Sequence, residues 1–174
     1  APLHIAPDGA FIRSERRGSG AVGKVEVAVR NQADAARTAT VRAIVSAPNG
    51  LEMARAEKPL TLEGWGDGKV EADLSWPTAP LWSPADPQLH RLTTEVEVDG
   101  VVVDRTETAF GVRSAVFDAK RGFLLNGQPL KLLGACCHQD HAGVGAAIPD
   151  ALQDWRILQL KAMGCNAWRA SHNP

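Results

Sequence analysis

The stretch KLLGACCHQDHAGVG, Lys131–Gly145, places Cys136, Cys137, His138 and His141 within six residues, with Asp140 among them. Three chemistries are open to such a cluster: metal ligation, a redox-active thiol pair, or polar groups presented to a bound ligand. A zinc site needs three or four ligands converging at once. On a strand, Cys136 and His138 share one face while Cys137 points the other way, so only Cys165 or His172 from elsewhere could complete a set, and no C-x2-C spacing is present. Adjacent strand residues also make a poor disulfide pair. Polar groups presented to a ligand are the chemistry left open. The three cysteines are expected to be small buried hydrophobes. A second group, Arg169, His172 and Asn173 in WRASHNP, ends another apolar run.

Two kinds of element must position these residues. Residues 1 to 113 read as all-β. Val25, Val27 and Val29 alternate in KVEVAVR, as do Ala39, Val41, Ala43 and Val45 in ATVRAIVS. Lys69–Leu74 alternates again. Pro48–Gly50 and Asp99-Gly100 supply turns, the latter inside a hairpin that puts Leu92, Thr94, Val96 and Val98 on one face. With Phe11–Arg13, about seven short strands at regular spacing predict an immunoglobulin-like β-sandwich. The Cys…Trp…Cys pattern of antibody domains is absent. The proline-rich SWPTAPLWSPADPQLH must be an extended loop, and its Trp76 and Trp82 are expected to cover an end of the sandwich rather than form a stacking platform.

From Ser114 the pattern changes. Asn126-Gly127 predicts a hairpin turn, leading into a strand over Leu130–Cys136 and a Gly/Ala-rich loop, Ala142–Ala147. A helix follows, with Pro149 before it, Asp150 as N-cap, Ala151, Trp155, Leu158 and Ala162 on the buried face, and Gly164 as the stop. Trp155 and Trp168 are read as core, and His141 as a solvated loop residue. CNAWRASH is the next strand. Strand, helix, strand is a βαβ unit with a parallel pair. Two strands and one helix cannot cover both faces of a parallel sheet, so a larger α/β domain is expected, of which this chain is a segment.

The balance of 19 basic and 20 acidic residues, with a net charge of -1 and no run of one sign, argues against nucleic acid or an anionic membrane as partner. No apolar run is long enough to span a bilayer. The compartment is left open between the cytoplasm and the periplasm or exterior.

The phrases LWSPADPQLH, FGVRS, FLLNGQPLKLLGACCHQD and LKAMGCNAWRASHNP, in this order, resemble glycoside hydrolase family 2, which holds β-galactosidases, β-mannosidases and β-glucuronidases. The resemblance implies a mainly β chain: an immunoglobulin-like β-sandwich over 1–113, then the first βαβ unit of a (β/α)8 TIM barrel over 114–174. It departs from the family at Cys136-Cys137, where many members carry Asn-Arg or Asn-Lys, and at Gln139, where many carry Glu. It implies a retaining β-glycosidase of β-galactosidase type, with His138, Asp140, Arg169, His172 and Asn173 as substrate-binding residues on one rim. Arg169 would stand beside the nucleophilic carboxylate and help hold it ionised. Asp140 could instead cap the loop after it. The implied partners are a carbohydrate substrate, the remaining domains of the same protein, and a second copy in a homo-oligomer. No cofactor is required in this segment. Some members use magnesium or sodium, for which no complete ligand set stands here.

Retaining hydrolysis needs two carboxylates about 5 Å apart. Residues 114–174 contain no glutamate, and of their aspartates, Asp118, Asp140, Asp150 and Asp154, only Asp140 falls on the rim. Both catalytic carboxylates are therefore expected beyond Pro174. A non-catalytic sandwich module, binding carbohydrate or positioning a neighbouring domain, is the alternative.

Overall fold

The computed structural model describes residues 1–172 and divides into two compact units, Ala1–Ser114 and a second beginning at Ala115. The first unit holds seven strands: β1 (Leu3–Arg17), β2 (Gly20–Asn31), β3 (Arg37–Ser46), β4 (Glu52–Leu62), β5 (Asp67–Trp76), β6 (His90–Val98) and β7 (Val101–Phe110). They form two antiparallel sheets, ordered β1-β2-β5 and β4-β3-β6-β7. The alternating valines and alanines of β2 and β3 face inward with Val70 and Leu74 of β5 and Leu92 and Val96 of β6, making one core between the sheets. Asp99 and Gly100 both take positive φ, 50° and 80°, the geometry that lets a two-residue turn follow the twist of its strands.

On the outer face of the larger sheet, Arg42 of β3 bonds Glu57 of β4 at 2.7 Å and Glu95 and Glu97 of β6 at 2.9 Å each. One planar guanidinium thus ties three strands in register. Strand β1 is far longer than the Phe11–Arg13 segment expected. A bulge interrupts its pairing with β2: Ile5 pairs Val29 and Ala10 pairs Val27, with Asp8 between them at φ 54°.

The second unit opens with a small antiparallel sheet of β8 (Ala115–Asp118), β9 (Gly122–Leu125) and β10 (Gln128–Pro129), in order β10-β9-β8. Asn126 and Gly127 turn it at φ 52° and 79°. Then come β11 (Gly134–Cys137), helix α1 (Asp150–Ala162) and β12 (Ala167–Ala170). β11 and β12 are parallel, with Cys136 opposite Arg169. β11 begins four residues later than expected, because the side chain of Asn166 takes the place of ladder bonds over Lys131–Leu133.

Two expectations about α1 fail. Pro149 (φ -72°, ψ 153°) is the N-cap, its carbonyl accepting from Leu152 and Gln153, while Asp150 is the first helical residue and its carboxylate caps nothing. The face of Ala151, Trp155, Leu158 and Ala162 is exposed, and Leu152, Gln153, Arg156 and Leu160 are half-buried instead. The helix ends in a Schellman motif at Gly164 (φ 87°), with Cys165 N–H on the Leu160 carbonyl and Gly164 N–H on that of Lys161.

Trp76 is buried in the sandwich, its ring 6.1 Å from His90 and 6.3 Å from Phe110. His90 is 1% exposed, and neither ring nitrogen has a hydrogen-bond partner among the described residues. Burial therefore holds its pKa below the usual 6.5, since a charge there would lose its hydration. The unfolded chain takes up a proton near pH 6.5 and the folded chain resists it, so this contribution to stability is present above that pH and is lost as pH falls below it. Urea denaturation at pH 7.5 and 5.5 is expected to show a smaller pH difference in His90→Leu than in the wild type; an unchanged difference would show that His90 charges freely in place.

Candidate binding rim of the parallel strand pair

The rim begins where β11 and β12 end. Ser171 N–H donates to the Cys137 carbonyl at 3.0 Å, continuing the ladder one step past β12. Ser171 itself is buried. The next carbonyl on the first strand, that of His138, has no strand to receive it. Arg156 of α1 donates to it through Nη2 at 2.9 Å, while its Nη1 reaches Gln153 at 3.3 Å and its guanidinium lies 5.2 Å over the Trp168 ring. The carbonyls on both sides of the Cys137–His138 peptide are thus held by the second strand and by the helix.

This places the His138 ring 5.2 Å from the His172 ring, tilted at 50°. Both rings are exposed. His172 takes φ 67°, a left-handed conformation uncommon for a residue with a side chain. Arg169, opposite Cys136 in the ladder, points Nη1 at Cys136 Sγ (3.5 Å) and Ser171 Oγ (3.3 Å). No carboxylate among the described residues pairs with it. At the other end of the pair, Asn166 accepts from Leu133 N–H at 2.9 Å and donates to the Lys131 carbonyl at 3.0 Å.

Of the five expected site residues, the structure therefore gathers His138, Arg169 and His172 on the ends of two parallel strands. Asp140 is exposed in the following segment, without an ion pair among the described residues. It does not cap the loop, which closes through backbone bonds between His141 and Gly145. Asn173 lies outside the described residues. His141 is not a free loop residue: it is half-buried, its ring stacked 6.3 Å from Trp155. Trp155 is 51% exposed rather than core, and Trp168 is half-buried beneath Arg156. All three cysteines are free thiols; Cys136 is exposed and the other two half-buried, so none is a buried hydrophobe. Among the described residues no three His, Cys, Asp or Glu side chains gather as a metal site would require.

Arg156 is the rim residue that sequence reasoning missed. Its signal is the stripe Leu152, Arg156, Leu160 at i, i+4, i+8, which is the face α1 turns inward. Arg156→Met keeps much of the aliphatic stem but removes a charge-assisted hydrogen bond, worth about 1.5–3 kcal/mol. Faster amide exchange over His138–Ala142, with α1 retained, is the expected result by NMR; unchanged exchange there would show that the His138 carbonyl needs no cap.

Two family models match the chain: glycosyl hydrolases family 2 over residues 3–113, and the TIM barrel domain of glycosyl hydrolases family 2 over residues 116–174. A β-galactosidase of Bacteroides ovatus is 30% identical over 174 residues, which is 99% of this chain but 20% of that protein. A β-glucuronidase of Bacteroides fragilis is 35% identical over 95 residues, 54% of this chain and 14% of that protein. Among solved structures, a family 2 glycosyl hydrolase from Bacteroides cellulosilyticus superposes with a TM-score of 0.90 at 31% identity, covering 99% of this chain and 24% of its own. A β-glucuronidase of Bacteroides uniformis gives a TM-score of 0.91 at 27% identity, with 99% and 22% covered. The chain thus spans about a fifth of the length of such relatives.

Proposed function

Since the chain belongs to glycosyl hydrolase family 2, we propose that it is the sandwich and first βαβ unit of a retaining β-glycosidase that removes terminal β-linked sugars. The carrying observation is the convergence of His138 and His172, rings 5.2 Å apart, on the same strand ends as Arg169. Ligands of a (β/α)8 barrel bind at the C-terminal ends of its strands, and two imidazoles side by side offer donors and acceptors to adjacent sugar hydroxyls. Arg169 is a charge without a carboxylate partner among the described residues. In this reading its partner is the nucleophile, brought by a later strand of the whole protein, and Arg169 keeps that carboxylate ionised. Asp140 and Asn173 complete the substrate contacts. The acid/base and the nucleophile both come from strands outside this chain, so the 174 residues bind part of the sugar and perform no chemistry alone.

A galactoside is the preferred substrate in this reading, because the β-galactosidase of B. ovatus matches almost the whole chain at 30% identity, against 27% for the β-glucuronidase of B. uniformis. The test uses the full-length protein with aryl β-galactoside and aryl β-glucuronide. Turnover of the galactoside is expected from the full-length protein and not from the 174-residue chain. His172→Ala and Arg169→Met should each lower kcat/KM about 100-fold, the scale for removing one group that acts on the developing charge. Hydrolysis by the short chain, or full activity in both variants, would overturn the proposal. Preference for the glucuronide would overturn only the choice of sugar.

A further inference from the structure

Five non-glycine residues among those described adopt positive φ. Three are Asp8, Asp99 and Asn126, whose short polar side chains suit that conformation. His172 belongs to the rim. The fifth is Trp65 at φ 58°, a bulky residue in a conformation that favours glycine. It sits in the four-residue turn between β4 and β5, closed by Gly66 N–H on the Glu63 carbonyl at 3.1 Å.

Strain of this kind persists only where surrounding contacts enforce it. Here they do. Trp65 N–H donates to the Ala33 carbonyl at 3.1 Å, and its indole Nε1 donates to Asp34 Oδ1 at 2.9 Å. Both acceptors lie on the β2–β3 connection. Gly64 lets the two connections meet, for a Cβ there would collide with the Asp34 carbonyl. Beneath them Asn31, fully buried, donates Nδ2 to the carbonyls of Ala35 and Glu63, each at 3.0 Å, and accepts from Ala33 N–H at 3.0 Å.

The product of this scaffold is an indole that is 70% exposed. Its edge is held by Asp34, and the residues on either side, Gly64 and Gly66, have no side chains to cover its faces. Trp76, by contrast, is buried in the core of the sandwich. We propose that Trp65 is a carbohydrate-stacking platform, taking one pyranose ring of a neutral β-linked oligosaccharide on its face. The electron-rich indole face attracts the C–H face of a sugar. Gln32, Asp34 and Glu63, on the same two connections, supply amide and carboxylate groups for hydroxyls, and Gln32 and Glu63 are exposed. A protein-docking site is disfavoured: no other exposed large apolar side chain lies on either connection, and protein hot spots need a surrounding apolar patch.

This inference does not depend on hydrolysis. The probes are cellotetraose, β-1,4-galactotetraose and β-1,4-xylotetraose, titrated into the 174-residue chain with the tryptophan indole N–H resonances followed by NMR. The expected result is a saturable shift of the Trp65 indole and Gln32 side-chain amide resonances with at least one of them; in Trp65→Phe, followed on the Gln32 amide, affinity should fall by about tenfold or less. Trp65→Gly, which suits the φ of the turn, should abolish the response of Gln32 and Glu63. The response should survive His138→Ala and His172→Ala, which separates this site from the proposed rim. No Trp65 shift with any probe would overturn the proposal. So would a shift that follows protein concentration instead of sugar, since that would make Trp65 a self-association contact.

Discussion

The rim depends on one constraint, the parallel register that sets Cys136 opposite Arg169. The ladder itself pairs only four residues on each strand, too few to fix a register by backbone bonding alone. Side chains extend it at both ends. Asn166 substitutes for strand bonds at the entry, clasping Lys131 and Leu133, and Arg156 receives the His138 carbonyl at the exit. A slip of one residue would break both clasps and turn His138 and Arg169 to the opposite face. The proximity of His138 and His172 follows from polar groups that touch neither ring.

The helix shows how the same constraint chooses a face. Its sequence carries two apolar stripes. Ala151, Trp155, Leu158 and Ala162 form the more hydrophobic one; Leu152, Arg156 and Leu160 form the other, interrupted by a charge. Periodicity favours the first, yet the second turns inward. Arg156 explains the inversion. Its stem and guanidinium cover Trp168 while its donors satisfy Gln153 and His138, so a long cationic side chain does the packing that an apolar one would do elsewhere. A hydropathy scale counts only the charge. The exposed stripe is what a barrel helix presents to neighbouring helices, which a single βαβ unit does not contain.

The sandwich was far more legible than the rim. Its strands follow a period of two with valine and alanine inside, and Asp99-Gly100 announces its turn through residues that tolerate positive φ, as Asn126-Gly127 does in the second unit. The misreadings came where a local signal had two meanings. The bulge between Ile5 and Ala10 breaks the period of two and hides most of β1. Lys131–Leu133 spells a strand, but the Lys131 carbonyl and the Leu133 N–H bond the side chain of Asn166, which no pattern of hydropathy records. Pro149 and Asp150 are both good first-turn residues, and the proline won the cap because its carbonyl already closes the first turn. The site residues came from motif resemblance, since His138 and His172 stand 34 positions apart in sequence and no periodicity connects them.

Backbone strain then separates residues that were invisible to pattern. Asp8, Asp99 and Asn126 hold positive φ cheaply, in turns and a bulge that need it. Trp65 and His172 hold it with rings attached, and both rings project into solvent. Neither conformation is chosen by the residue; each is enforced by its surroundings. At His172 the enforcing contact is the Ser171 bond to Cys137, one residue away. At Trp65 it is the paired hold of Ala33 and Asp34 over a buried Asn31. Relaxing either turn would need no more than a glycine, which makes a ring at that position an expense in stability. An expense of that kind is understandable where the ring has to be presented outward at a fixed angle, and the buried amide network beneath Trp65 fixes that angle as firmly as the ladder fixes His172.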